Sequence, residues 1–164
     1  MTFKWHPVLP EPLVMRPAQD DDGAFMEALY YSTRDDLAGL GELMLPILAQ
    51  QYRAQQLGYR STFPNAQYWI VEQHGERIGR VVVNVNEVEV HLIDLAFLPT
   101  ARGQGNGTKV LHALQQLATQ ARIPLSLNVS HTNPAAKKLY LTLGFVVIAN
   151  HPSVAQMAWC GHGE

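Results

Sequence analysis

The stretch L-I-D-L-A-F-L-P-T-A-R-G-Q-G-N-G-T-K-V-L-H-A-L-Q-Q-L, residues 92–117, decides the fold of this chain. Its short apolar run ends at Pro99, as expected of a buried strand that stops where backbone donors would be needed. Gly103, Gly105 and Gly107 then stand at alternate positions, and apolar side chains recur at helical spacing from Val110 onward. The pattern predicts a strand, a tight loop and a helix in succession.

The loop predicted between that strand and that helix is suited to an anion. Glycines leave several backbone N–H groups unobstructed at the start of the helix, where the helix dipole is positive. We therefore expect a phosphate-bearing ligand at residues 103–108. No G-K-[ST] triplet follows, and the position about twenty residues further on holds no acid, so P-loop and dinucleotide fingerprints are disfavoured.

Composition narrows the class of protein. The chain has 164 residues, 47% of them apolar, which predicts one domain over residues 1–164 with a real core. A formal charge of −2 gives no basic surface for nucleic acid, and no apolar run reaches membrane-spanning length. The single cysteine, Cys160, fits a reducing compartment, so we expect a cytoplasmic protein without membrane or nucleic-acid partners.

The histidines and the cysteine are the residues in this sequence most able to bind a metal or to react as nucleophiles. The seven histidines show no metal-ligand spacing, and one cysteine supplies no thiolate set, so no metal is expected. Nothing near Cys160 in sequence would lower the pKa of its thiol, which makes it a poor candidate nucleophile.

Periodicity predicts the remaining elements. Residues 1–12 read as a loose extended arm and 161–164 as a tail, with Asp20–Asp22 capping a first helix. A second helix is expected at about 43–57, with Pro46 in its first turn, and a further helix is expected to begin at Asn133-Pro134. The predicted strands are 13–16, 67–73, 78–85, 88–98, 125–129, 145–150 and 154–159.

The order of these elements predicts a fold class. Tight turns between the early strands indicate an antiparallel meander, whereas a strand, the glycine-loop helix and another strand indicate a right-handed crossover with parallel pairing. We expect an α/β (α+β) fold, with a mixed, mostly antiparallel sheet of six to seven strands and helices on both faces.

Two motifs resemble those of the GNAT superfamily of acyl-CoA-dependent N-acetyltransferases. Arg102, Gly105 and Gly107 match the R/Q-x-x-G-x-G/A signature, and the run from Asn133-Pro134 through Tyr140 to Gly144-Phe145 matches a second one. The resemblance covers nearly the whole chain, from residue 13 to 159, and implies the GNAT-like fold. Asn106 departs from the family, which usually has an apolar residue there; we interpret it as a loop residue that tolerates an unusual backbone angle.

The resemblance implies acetyl-CoA as co-substrate. The amides of 103–108 would hold its pyrophosphate, Thr108 would add its hydroxyl, and Arg102 would act either by charge or structurally. A bulge in the preceding strand would open a gap where backbone groups pair with the pantetheine arm. The residues implied to bind acetyl-CoA are Leu95, Ala96, Phe97, Arg102, Gly103, Gln104, Gly105, Asn106, Gly107, Thr108, Asn133 and Tyr140.

The resemblance also implies the catalytic residues. The family's matching tyrosine, here Tyr140, protonates the departing thiolate, and a phenol is a proton donor at neutral pH. Attack needs a neutral amine, and His91 is the predicted base, since several relatives place a base there and imidazole has a suitable pKa. Glu89 and Asp94 are the alternatives. Strand alternation puts Glu89, His91, Ile93 and Leu95 on one face and Asp94 on the other.

The implied function is transfer of an acetyl group to a primary amine of a small molecule or peptide, by direct attack in a ternary complex. A non-catalytic acyl-CoA sensor and a transferase for longer acyl groups remain alternatives. The acceptor is open between an amino acid, a polyamine, a drug-like amine and a protein N-terminus. Residues 32–60 and 150–154 would line its site, Asp35–Asp36 could attract a cation, and a homodimer is a family-level expectation.

Overall fold

Seven strands form one mixed sheet in the order β1-β2-β3-β4-β5-β7-β6. The structure is a computed structural model that describes residues 5–34 and 41–161. Every pair of neighbouring strands is antiparallel except β4 and β5, which are parallel, so the predicted fold class is confirmed. The strands are β1 Leu13–Pro17, β2 Gln67–Gln73, β3 Glu76–Val85, β4 Val90–Phe97, β5 Leu125–Ser130, β6 Val146–Asn150 and β7 Val154–Trp159.

Four α-helices in the described residues cover both faces of the sheet. The main core lies under α3, whose Val110, Leu114 and Leu117 are fully buried against the inner strands. Each such side chain contributes about 1.5–3 kcal/mol by leaving water. Leu29 of α1 is buried on the opposite face. The helices are α1 Gly23–Ser32, α2 Leu45–Thr62, α3 Asn106–Ala121 and α4 Pro134–Thr142.

The described part of the N-terminal arm packs against the core instead of lying loose. The ring of Trp5 meets Trp69 of β2 edge-on, with centroids 5.3 Å apart, and Leu9 is buried in the main cluster. Apolar burial therefore orders a segment that has no regular secondary structure.

The prediction that Asp20–Asp22 supplies the N-cap of the first helix is confirmed in position, since Asp22 is the N-cap residue of α1, but the Asp22 side chain has another partner. These residues form a 3-10 turn, and Asp22 makes no side-chain cap to α1. Its carboxylate turns inward, where it accepts hydrogen bonds from the Gln19 N–H (2.7 Å) and from Arg16 of β1. A guanidinium binds a buried carboxylate more strongly than a helix amide does, so the ion pair takes the place of the cap.

The second helix is longer than predicted. It begins at Leu45, with Pro46 in its first turn, and continues through Gly58 to Thr62 rather than ending near residue 57. Glycine inside a helix costs only about 1 kcal/mol. Tyr59, one residue later, lies against the sheet, and this burial raises the pKa of its hydroxyl. Packing of the last turn therefore outweighs the weak break at Gly58.

A β-bulge in β4 changes which residues share a face. Val83 of β3 lies opposite Leu92, but the next residue back, Val82, lies opposite Asp94, so Ile93 is the extra residue. Directly opposed residues of antiparallel strands point to the same face. Asp94 is therefore on the same face as His91, and the predicted alternation, which separated them, was wrong beyond Ile93.

Candidate active site

The parallel strands β4 and β5 are paired for only three residues and then separate. Val90, His91 and Leu92 have partners in β5, and the pairing ends where the bulge at Ile93 begins. The bulge thus coincides with the opening, as expected. The gap has a volume of about 140 Å³ and is lined by Leu92, Ile93, Asp94, Leu95, Leu127, Asn128, Val129, Ser130, Asn133, Ala136 and Tyr140.

The separation leaves one edge of β4 available for backbone pairing. The N–H of Leu98 donates to the Ile78 carbonyl of β3 over 2.8 Å. Because successive strand residues direct their backbone groups to opposite edges, Ala96 faces β3, whereas Leu95 and Phe97 face the gap. The Phe97 carbonyl also accepts a hydrogen bond from Arg102 Nε at 2.9 Å.

Beyond the gap, the glycine loop presents unobstructed amides. Gly103 and Gly105 have φ of 72° and 81°, and a Cβ at either position would meet no atom within 4 Å. Gly105 is the N-cap of α3, and no side chain caps this end of the helix. Its carbonyl accepts the Lys109 N–H, so the amides of residues 106–108 precede the first intrahelical hydrogen bond. The loop fits a pyrophosphate group.

Asn106 does not play the part predicted for it. The positive φ angles belong to the neighbouring glycines, and Asn106 is the first residue of α3, with its side chain buried. Its Nδ2 donates to the Ala101 carbonyl at 3.0 Å, and Gln104 Nε2 donates to the Thr100 carbonyl at 2.8 Å. Because both side chains tie the loop to the preceding turn, the loop is held in shape before any ligand arrives.

Arg102 bridges two elements that border the site. Besides its bond to Phe97, its Nη2 donates to the carbonyl of Ser32, the last residue of α1, at 3.4 Å. The side chain therefore links the end of β4 to α1. Arg102 was predicted to act either by charge or structurally, and these two hydrogen bonds give it a structural role.

Gly79 was not singled out from the sequence, although it shapes the end of β4. It lies opposite Phe97, and a Cβ here would be 2.5 Å from Phe97 Cδ1 and 2.7 Å from the Ala96 carbonyl oxygen. Only glycine lets the Phe97 ring lie across β3. A lone glycine inside a predicted strand was the available signal, since it often marks such a close approach.

Asn133 and Tyr140 lie on the far side of the gap, at the start and near the end of α4. Asn133 Oδ1 accepts the Ala136 N–H at 3.2 Å and Pro134 is the first helical residue, which confirms the predicted cap. Tyr140 lies 5.6 Å from the Phe145 ring, centroid to centroid, and borders the gap. Burial, and secondarily the charge of Asp94, raise the pKa of Tyr140, so its hydroxyl stays protonated at neutral pH.

His91 lies beside the gap rather than in its lining. Its ring stacks on Phe63, with centroids 5.5 Å apart, and its Nδ1 is 2.8 Å from the Ser126 hydroxyl of β5. Burial lowers the pKa of His91 below its ordinary 6.5, although the charge of Glu89 opposes this shift. The imidazole is therefore mainly neutral at pH 7 and able to accept a proton.

Asp94 occupies a more central place than predicted. It borders both the gap and a small pocket of about 30 Å³ under α1 and α2. Arg80 of β3, itself buried, donates to Asp94 Oδ2 from Nε (3.2 Å) and Nη2 (2.5 Å). Sequence reasoning missed Arg80, although an arginine inside the apolar run of 78–83 needs a buried partner.

Two acidic residues predicted for the acceptor site lie outside the described residues. Asp35 and Asp36, considered for cation binding, fall in the part of the chain that the structure does not describe. Within residues 5–34 and 41–161, no three His, Cys, Asp or Glu side chains are grouped to hold a metal ion. None of the helices in those ranges is long and apolar enough to cross a bilayer.

The site combines a split in the sheet, a tyrosine that borders the split and a glycine loop at a helix N-terminus, which is a shape suited to a long molecule with an anionic end. The sequence profile of the Acetyltransferase (GNAT) family matches residues 26–145. The catalytic subunit NAA10 of the N-terminal acetyltransferase A complex of Arabidopsis thaliana is 30% identical over 130 residues, which are 74% of this chain and 68% of that protein. The chain therefore belongs to the GNAT family and is an acyl-CoA-dependent N-acetyltransferase.

Solved structures agree with the fold. The PaiA N-acetyltransferase of Thermoplasma acidophilum, in complex with coenzyme A, superposes with a TM-score of 0.69 at 16% identity, covering 90% of this chain and 98% of that one. Arabidopsis thaliana Naa50, in complex with the bisubstrate analogue CoA-Ac-MVNAL, gives a TM-score of 0.62 at 13% identity, covering 90% and 97%. At these identities the similarity concerns the fold alone.

Proposed function

We propose that this chain transfers the acetyl group of acetyl-CoA to a primary amine while both substrates are bound. One observation carries the proposal: Leu95 on the free edge of β4 and Tyr140 line the same gap, and β4 leads along the chain from this gap to the glycine loop, which gives a path along the strand. Such a path matches a molecule with a pyrophosphate at one end and a thioester at the other. Placing two substrates in line then supplies most of the rate enhancement.

The binding of acetyl-CoA is assigned to backbone groups. The amides of 103–108 take the pyrophosphate, with Thr108 adding its hydroxyl, and the backbone of Leu95 and the N–H of Phe97 pair with the pantetheine amides. Asn133 borders the same path from α4. Among the residues predicted to bind, Ala96 supports the site by pairing with β3, and Gln104 and Asn106 support it by tying down the loop.

The chemistry is a direct acyl transfer. The amine nitrogen attacks the thioester carbon, and the His91 imidazole accepts the amine proton. The carbon–sulfur bond breaks as the amide forms. Tyr140 donates its proton to the departing sulfur, which leaves as the thiol of CoA. A neutral imidazole and a protonated phenol give the acid–base pair that this reaction needs.

Asp94 is assigned to the acceptor. Its carboxylate stands between the gap and the pocket under α1 and α2, so it can hold the cationic amine before deprotonation. The NAA10 relative and the peptide analogue bound to Naa50 favour the α-amine of a peptide as one acceptor to test, beside amino acids, polyamines and drug-like amines.

The test of this function is release of free thiol from acetyl-CoA over an amine panel that includes short peptides. Tyr140→Phe is expected to lower kcat about 10- to 100-fold, because the leaving sulfur loses its proton donor. Calorimetric affinity for CoA and the midpoint of urea unfolding are the controls, and both are expected to stay within error of the wild type.

Two outcomes would count against the proposal. CoA binding without turnover of any amine favours the non-catalytic sensor. Turnover that is unchanged in Tyr140→Phe removes Tyr140 from its role while leaving the transferase intact.

The setting of the enzyme is part of the proposal. A single cysteine, Cys160, fits a reducing, cytoplasmic compartment, and fractionation of tagged protein tests this. A homodimer is proposed from the family alone, and sedimentation equilibrium would decide it.

A further inference from the structure

A chain of two short hydrogen bonds leads from Glu89 through Ser126 to His91. The Ser126 hydroxyl donates to Glu89 Oε2 at 2.7 Å and lies 2.8 Å from His91 Nδ1. Ser126 is 2% exposed, and it is the partner of His91 in the parallel pairing of β4 with β5. The backbone register therefore holds the hydroxyl and the imidazole together.

The number of protons available to the hydrogen bonds between Glu89, Ser126 and His91 determines which nitrogen of His91 is protonated. A serine hydroxyl has a single proton, and here Glu89, a carboxylate that can only accept, receives it. Towards His91 the Ser126 oxygen can then only accept, so Nδ1 must be the donor. In the neutral ring this leaves Nε2 with its lone pair free.

We propose that Glu89 and Ser126 are positioning residues that hold His91 as the Nδ1–H tautomer, with Nε2 as the proton acceptor for the amine. The proposal rests on the proposed function, since a base is needed only if an amine is acetylated. It extends a general arrangement in which a catalytic base is oriented by a third group. Here the third group is a carboxylate acting through a buried serine.

The position of the ring fits this task. Because the bulge takes up Ile93, His91 and Asp94 are two positions apart on one face, which is about 7 Å along a strand. The proposed acceptor site at Asp94 is therefore within reach of Nε2, directly or through one water. The stack on Phe63 limits rotation of the ring, so the hydrogen bond at Nδ1 also fixes where Nε2 points.

The groups around His91 make its titration interpretable. Ser126 faces it from β5, Phe63 from the end of α2, and Asn84 lies opposite it on β3. Glu89 supplies the charge that acts on the pKa of His91, and it raises that pKa. Removing this charge should therefore lower the pKa of His91, and the acid limb of a pH–rate profile should move to lower pH.

The first experiment locates the proton without using activity. Two-bond ¹H–¹⁵N NMR spectra of histidine-labelled protein distinguish the two tautomers, and comparison with His91→Gln assigns the His91 signals. We expect the Nδ1–H form in the wild type. Ser126→Ala and Glu89→Gln should give mixtures, because glutamine can donate to Ser126 and so release the hydroxyl proton towards Nδ1. An Nε2–H ring in the wild type overturns the proposal.

The second experiment measures kcat against pH with the best amine. Ser126→Ala should lower the plateau about tenfold or more while leaving CoA affinity unchanged, since a misoriented base acts only on the chemical step. Glu89→Gln should move the acid limb to lower pH. Glu87→Gln, an exposed glutamate two residues away, changes the net charge equally and should leave the profile unmoved.

These readouts separate the two proposals. Variants that match the wild type in plateau and acid limb overturn the role of Glu89 and Ser126 and leave the transferase standing. Absence of turnover in the wild type with every amine overturns the proposed function and the positioning role with it, while NMR still reports where the proton lies.

Discussion

Two arginine–carboxylate ion pairs lie on one face of the sheet, and they differ in which of the two partners is buried. Near α1, the side chain of Asp22 is 0% exposed, whereas its partners Arg16 and Arg77 are 29% and 40% exposed. Beside the gap, Arg80 is 3% exposed and Asp94 is 24% exposed. The first pair hides the carboxylate, and the second hides the guanidinium.

The difference shows what each pair is able to do. Both oxygens of Asp22 are engaged, by two bonds from Arg16 at 2.8 and 2.9 Å, one from Arg77 and one from the Gln19 amide. Arg16, followed by the amide and Arg77, outweighs burial and holds the pKa of Asp22 well below its usual range. Within the described part of the chain, both hydrogen bonds to Asp94 end on Oδ2. A saturated carboxylate stabilises the fold, and an unsaturated one can bind a ligand.

The largest effect is expected from breaking the ion pairs of the buried Asp22. Asp22→Asn should lower the free energy of unfolding by about 3–5 kcal/mol, because two guanidiniums lose a buried partner. Urea denaturation measures this loss, and Asp21→Asn, an exposed neighbour with the same charge change, is the matched control. Acetyl transfer by the folded fraction should be unchanged. Equal losses of unfolding free energy in Asp22→Asn and Asp21→Asn would contradict the conclusion that the buried carboxylate stabilises the fold.

An intermediate effect, on substrate binding as well as on stability, is expected at the Arg80–Asp94 pair. Asp94→Asn should raise KM for the amine about tenfold, because the acceptor loses its counter-charge. The free energy of unfolding should fall by about 2–3 kcal/mol, because buried Arg80 loses its counter-charge, although the new amide oxygen, Gln55 and Gln56 can still accept hydrogen bonds from its guanidinium. A large loss of stability with unchanged KM would place Asp94 in the same class as Asp22.

The smallest effect is expected at Glu72, the more exposed partner of Arg16. Glu72 also contacts Arg16, at 3.2 Å from Nε, but its side chain is 22% exposed. Glu72→Gln should therefore cost less than about 1 kcal/mol in urea denaturation, and added salt should reduce even that. A cost comparable with that of Asp22→Asn would mean that burial of the carboxylate is not the deciding factor.

The elements that depend on neighbouring residues were predictable. Glycines 103 and 105 with the helix after them, the cap at Asn133-Pro134 and the tight turn between β2 and β3 all follow from local preferences. The same holds for the strand–helix–strand crossover that makes β4 and β5 parallel. The family signatures lie in these local segments, which is why the fold class and the glycine loop were expected correctly.

The errors have a common physical origin in competition between distant groups. The Asp22 side chain bonds to Arg16 and not to the first amides of α1, α2 continues past Gly58 with Tyr59 half-buried in its last turn, and Asn106 bonds to the Ala101 carbonyl. In each case a tertiary contact is stronger than the local preference.

By itself, the amino-acid sequence determined the fold class, the glycine loop at the start of α3 and the presence of Tyr140 in the helix that borders the gap. Only the tertiary structure decided that β7 lies between β5 and β6, that Asp94 shares a face with His91, and that Ser126 reaches His91. One inserted residue in β4 reverses every later side chain, and pairing between strands 35 residues apart brings a serine to a histidine. Neither the register nor the bulge is encoded by any short stretch of chain, because both depend on how whole strands pack against the core.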